Sequence, residues 1–247
     1  MPVNDVLGEF LGTMVLILLG DGVVGGVLLN RSKAQNAGWI VITAGWAFAV
    51  MAGIYTARAV GGPSVGYINP VGPLAAVLTG DLAPEKAIAF VGAEFAGAFV
   101  GAVLVWLHYL PHWSVTTDPG AKLAVFCTGP AIRMPMANLL SEAIATFVLI
   151  FVAAAIIEKA VVNEAAPGFL GAPLVGALIW GIGLGLGGTT GYALNPARDL
   201  SPRLAHALLP IPGKGGSDWG YAWIPVAGPV IGATVAALLA KAVMIAR

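Results

Sequence analysis

Gly66-Tyr67-Ile68-Asn69-Pro70-Val71-Gly72-Pro73 and, in the second half of the chain, Gly191-Tyr192-Ala193-Leu194-Asn195-Pro196-Ala197-Arg198 each place an Asn-Pro dipeptide at the head of an apolar run. Asn is a favoured N-cap, and Pro suits the first helical position because its missing N–H would be unpaired there in any case. Each dipeptide therefore starts a helix. A bilayer core takes about 20 apolar residues per helix, and the runs at 69–78 and 195–208 are too short for that. A helix of about ten residues covers about 15 Å, so each segment reaches halfway.

Outward from these two points, longer apolar runs lie near residues 6–28, 39–59, 87–108, 138–158, 169–187 and 221–243, separated by Pro, Gly and charged residues. They predict six transmembrane helices. Composition agrees: 58% of the 247 residues are hydrophobic and only 10% charged, against about 25% charged in a soluble domain. The 34 glycines fit membrane helices, whose backbones approach closely at small residues. Twelve basic and twelve acidic residues cancel, leaving no field to gather nucleic acid. Cys127 is the only cysteine, which excludes an internal disulfide and a cysteine metal cluster. The first residues carry no basic segment and no small-residue cleavage pattern, so the first run is expected to be retained as a helix. Basic loop residues divide evenly between the two sides and set no orientation.

The halves repeat. Glu9 and Thr13 of the first run match Glu142 and Thr146 of the fourth, the two Asn-Pro segments match, and Gly97-Ala98 matches Gly232-Ala233. Three spans per copy is an odd number, so the second copy must lie inverted relative to the first, with function at the interface near the midplane. The repeats occupy about residues 5–110 and 138–244 of a single channel domain, 1–247. Inversion brings the two short helices' positive ends together at the middle. There a cation meets a positive potential, while Asn69 and Asn195 can donate hydrogen bonds to a neutral oxygen. Pro73 has no N–H to donate to the Asn69 carbonyl; that carbonyl is expected to lack its first helical bond and the helix start to be displaced. His108, His112 and His206 fall near the expected membrane edges. No set of residues has metal-ligand or nucleophile spacing, so neither a metal site, a catalytic site nor a cofactor is expected, and enzymatic activity has no support.

The Glu-x-x-x-Thr helix starts, Asn69-Pro70, Asn195-Pro196-Ala197-Arg198 and Gly228-Pro229-Val230-Ile231-Gly232-Ala233 resemble the aquaporin (major intrinsic protein) family across nearly the whole chain, and Arg198-Asp199 resembles its glycerol facilitator, or aquaglyceroporin, branch. The first motif departs from the family's Asn-Pro-Ala-Val-Thr, with Tyr67 where a His commonly stands. The resemblance implies an aquaporin-like, all-α membrane protein with six transmembrane helices and two half-helices in an inverted repeat, a multi-pass protein of the cell membrane, and a homotetramer in the lipid bilayer. It places a selectivity filter at Trp46, Gly183, Tyr192 and Arg198, with Gly183 where water-selective members carry His. Pore-lining carbonyls would come from Val65, Gly66, Tyr67, Gly191, Tyr192 and Ala193, and Glu9 and Glu142 would be structural acids holding the pore loops. The function implied is a passive channel for glycerol and other small uncharged solutes, passing water and excluding protons and ions. Two alternatives stand beside it: a water-selective channel, and an ion-coupled secondary transporter with Asp21 or Glu94 carrying the proton.

Overall fold

The computed structural model describes residues 3–157 and 167–243. The described residues form helices and no strands. In chain order these are α1 (Val3–Leu28), α2 (Trp39–Gly61), α3 (Val71–Thr79), α4 (Pro84–His108), α5 (Leu110–Val115), α6 (Pro119–Phe126), α7 (Pro135–Ile157), α8 (Pro167–Gly185), α9 (Pro196–Leu208) and α10 (Ile224–Val243). Five of them, α1, α2, α4, α7 and α10, are long and apolar enough to cross a membrane. The 19 residues of α8 reach about 28 Å at 1.5 Å per residue, close to the apolar thickness of a bilayer, and supply the sixth span. The short helices α3 and α9 follow Asn69 and Asn195. The chain thus has the aquaporin-like all-α architecture, six spans and two half-helices.

Small residues set how closely the long helices cross. A Cβ on Gly97 of α4 would overlap the carbonyl oxygen of Phe10 in α1, and one on Gly232 of α10 would overlap that of Ala143 in α7. Phe10 and Ala143 directly follow the repeat-related Glu9 and Glu142, so the same crossing occurs once in each half. Ion pairing adds a tie where chain ends meet the bundle: Lys86 Nζ lies 2.6 Å from the Asp5 carboxylate, joining the start of α4 to α1.

Several features differ from expectation. The sixth span starts at Ile224, because residues 219–223 turn before Pro225. The segment between α4 and α7 is structured, with α5 and α6 packed over one end of the bundle. Each of those helices carries Pro at its first turn, and Asp118 caps α6 by accepting from the Gly120 N–H at 2.7 Å. The fourth span is described only to Ile157, and residue 158 lies outside the described residues. His206 is fully buried in the last turn of α9, its Nδ1 2.9 Å from Ser217 Oγ.

Candidate functional site

The half-helices meet at their N-termini through the two asparagines. Asn195 Oδ1 accepts from the N–H groups of Ala197 at 3.0 Å and Arg198 at 3.1 Å, the geometry of an N-cap. Asn69 Oδ1 accepts from Val71 N–H at 3.2 Å. Each amide also crosses the molecular centre: Asn69 Nδ2 donates to the Leu194 carbonyl at 3.0 Å, and Asn195 Nδ2 to the Ile68 carbonyl at 2.8 Å. An amide NH₂ has two donors. One locks the side chain to the opposite loop, and the second is left for whatever occupies the cavity that both residues line.

The first half-helix start is displaced, as Pro73 requires, but its carbonyl is not orphaned. Pro70 takes the cap position and α3 begins at Val71, whereas α9 begins at Pro196 itself. Gly72 N–H donates to the Asn69 carbonyl at 2.8 Å, a tighter 3₁₀-type turn that replaces the bond Pro73 cannot make. The expectation of an unpaired carbonyl is corrected accordingly.

Both loops before the asparagines are held by buried glutamates. Glu9 accepts from the N–H groups of Gly66, Tyr67 and Ile68 at 2.6, 3.0 and 2.8 Å, and Glu142 from those of Ala193 and Leu194 at 3.0 and 3.1 Å. Val65, Gly66, Tyr67, Gly191, Tyr192 and Ala193 of these loops line one cavity. Glu94 extends the scaffold, accepting from Asn69 N–H at 3.1 Å.

Backbone torsions also correct the repeat register. Counted back from each asparagine, Ile68 (φ 47°) pairs with Leu194 (φ 56°), and Gly66 (φ 106°) pairs with Tyr192 (φ 39°). Gly191, which resembles Gly66 in sequence, is an added residue. Tyr192 therefore holds a left-handed backbone where the other half has glycine, at a cost of about 1–3 kcal/mol. Such strain persists only because the surroundings over-determine it.

Trp46 and Arg198, expected in a filter with Tyr192, line the same cavity. The Arg198 guanidinium lies 4.1 Å above the Trp46 ring, a cation–π contact. Its Nη1 donates to the Phe126 carbonyl at 3.4 Å, and Asp21 Oδ1 lies 3.5 Å away. Asp21 is fully buried, and neither of its oxygens has a hydrogen-bond partner among the described residues. It is a counter-ion to the arginine, which sequence reasoning missed. Asp199, one residue on, accepts from Arg203 Nε at 2.8 Å and from Thr128 N–H and Oγ1 at 2.8 and 2.7 Å, anchoring the connecting loop beside Phe126.

Gly183 acts through its neighbour. A Cβ there would come within 2.8 Å of Thr43 Cγ2 and 2.9 Å of Tyr192 Cζ. The space left by the missing side chain is thus filled by the tyrosine ring, and Gly183 itself does not face the cavity. Trp39 secures the arrangement, its Nε1 donating to the Gly183 carbonyl at 3.0 Å while its ring meets Tyr192 edge-on at 5.8 Å.

One cavity of about 850 Å³ joins these parts. It is lined by Trp46, Val50, Ile54 and Arg58 of α2, by Gly171, Val175 and Ile179 of α8, by both asparagines and by Tyr192 and Arg198. Its lining combines apolar side chains such as Val50, Ile54, Val175 and Ile179 with polar ones such as Asn69, Asn195 and Arg198.

Comparison with known proteins agrees. Residues 2–240 match the major intrinsic protein family. The chain is 54% identical over 233 residues to a probable glycerol uptake facilitator protein of Thermotoga maritima, covering 94% of this chain and 96% of that one. It is 52% identical over 235 residues to glycerol uptake facilitator protein 3 of Lactiplantibacillus plantarum, covering 95% of each. Its fold superposes on the crystal structure of the aquaglyceroporin from Plasmodium falciparum with a TM-score of 0.85 at 26% identity, over 98% of this chain and 96% of that one. The architecture, the paired Asn-Pro half-helices and a match over almost its full length place this chain in the major intrinsic protein family of integral membrane channels.

Proposed function

We propose that this channel conducts glycerol and similar small uncharged polyols passively, together with water, and excludes protons and ions. The observation that carries the reading is the corner formed by Trp46, Tyr192 and Arg198, with the tyrosine ring seated in the space that Gly183 leaves. Two aromatic walls receive a carbon backbone while the guanidinium faces hydroxyls. A polyol leaving water loses hydrogen bonds, each costing about 1–3 kcal/mol if unreplaced. Arg198, the second donors of Asn69 and Asn195, and the loop carbonyls replace them in succession. The facing positive ends of α3 and α9 oppose cations at the midplane.

On this reading Trp46, Gly183, Tyr192 and Arg198 form the filter, Asn69-Pro70 and Asn195-Pro196 the central station, and Glu9 and Glu142 the loop supports. The repeats, residues 5–110 and 138–244, work as one domain spanning 1–247. The outer apolar faces, where Phe48, Ile88 and Leu140 are exposed, meet lipid or neighbouring subunits of a homotetramer. Proteoliposomes shrunk by external glycerol should re-swell within seconds, while those shrunk by sucrose should stay shrunken. Shrinkage by glycerol without re-swelling would mark a water-only channel, and re-swelling abolished by a protonophore would mark a coupled transporter.

A further inference from the structure

The filter has an inverted-repeat image at the opposite mouth, and that image contains an arginine. The cavity-lining stripe of α2 runs Trp46, Val50, Ile54, Arg58; α8 lines the cavity with Gly171, Val175 and Ile179 at the same four-residue steps, and Gly183 follows one step on, behind the Tyr192 ring. The steps are identical, so Trp46 corresponds to Gly171 and Arg58 to Gly183. In the loops the torsions pair Tyr192 with Gly66, and three residues beyond each asparagine Arg198 corresponds to Gly72. The quartet Trp46, Gly183, Tyr192 and Arg198 at one mouth thus becomes Gly171, Arg58, Gly66 and Gly72 at the other.

Contacts support the correspondence. A Cβ on Gly66 would lie 3.5 Å from Arg58 Cγ and Nε, and one on Gly171 would lie 3.7 Å from Arg58 Nη1. The arginine therefore packs against the positions equivalent to Tyr192 and Trp46, as Gly183 does against Tyr192 in the filter. Arg58 Nε donates to the Val65 carbonyl at 3.4 Å. The guanidinium has five N–H donors, and Arg58 is part of the cavity lining, as are Ser64 and Asp81.

We propose that Arg58 is a second solute-binding station, which receives polyol hydroxyls at the mouth opposite Arg198. Each mouth then has one arginine, supplied by a different element of the repeat. The two differ in what surrounds the guanidinium: aromatic walls at Arg198 sieve the solute, whereas glycines at Arg58 leave the mouth wide. Arg58 hydrogen-bonds the solute without sizing it, and so eases its transfer between the carbonyl row and bulk water.

The inference rests on the polyol-channel reading, and the experiment separates the two. Arg58→Met keeps the apolar stem and removes every donor. In proteoliposomes it should lower glycerol permeability about fivefold, the worth of one ordinary hydrogen bond, with osmotic water permeability within about twofold of the unaltered channel. Gly171→Leu leaves Arg58 in place and fills the space beside it, and should lower glycerol permeability more than water permeability. Water flow in either variant establishes that it is folded. An unchanged glycerol-to-water ratio in both variants, beside an unaltered channel that conducts glycerol, would overturn the role of Arg58 alone. An unaltered channel that carries no glycerol would overturn both the station and the function it serves.

Discussion

Asp21 has an unusual environment: a fully buried carboxylate within α1, 3.5 Å from the Arg198 guanidinium and without a hydrogen bond among the described residues. Removing one partner of a buried pair leaves an uncompensated charge and costs about 3–5 kcal/mol. Asp21→Leu should therefore lower the thermal unfolding temperature in detergent well below that of Arg198→Leu/Asp21→Leu, in which both charges are gone. Equal melting of single and double variants would contradict the pairing. The sequence offered a signal for this contact, since a charge at membrane depth requires a partner and Arg198 was the one arginine already assigned to the pore. Spacing gave Trp46, Tyr192 and Arg198 only through family resemblance. Residue chemistry alone could not bring residues 46, 183, 192 and 198 together, because the contact depends on how α2 and α8 cross. At Gly183 the sequence shows only a missing side chain, which does not reveal which neighbour fills the space.

At the scale of elements, local chemistry was most legible where it was most constrained. Asn-Pro located both half-helices, and the absent N–H of Pro73 foretold the displaced start of α3. The 3₁₀ bond from Gly72 was not foreseen, because it depends on a backbone torsion that glycine and its neighbours leave open. The helices α5 and α6 were also missed: they are short, and they are stabilised by contacts with the bundle, such as Asn30 Nδ2 donating to the Val115 carbonyl at 2.9 Å. Helix crossings are set at Gly97 and Gly232, where any side chain would meet a backbone carbonyl. Overpacking a tight contact costs about 1–3 kcal/mol or more. Gly97→Leu should accordingly separate α4 from α1, loosen the loop held by Glu9 and lower both thermal stability and water flow. A Gly97→Leu channel with unaltered melting and conduction would place the crossing elsewhere. Gly92, whose Cβ would meet nothing within 4 Å, provides the control: Gly92→Leu should be tolerated.

At the scale of the whole molecule, composition identified the membrane and an odd number of spans per repeat identified inversion. Neither could identify the solute. Inversion gives two equivalent half-channels, and the sequence then departs from equivalence at each mouth: aromatic rings beside Arg198, glycines beside Arg58. On the proposed function, the asymmetry assigns sieving to the Arg198 end of the cavity. The most direct measurement is stopped-flow light scattering on proteoliposomes of the unaltered protein and of Gly183→His, in glycerol and in sucrose gradients. The account predicts rapid glycerol re-swelling for the unaltered channel. In Gly183→His, where the new side chain must displace the Tyr192 ring, glycerol flux should fall by about tenfold or more while water flow is largely kept, since a methylene-scale change of fit alone is worth about 1–3 kcal/mol. Equal loss of glycerol and water flow in the variant, or no glycerol re-swelling in the unaltered channel, would contradict it.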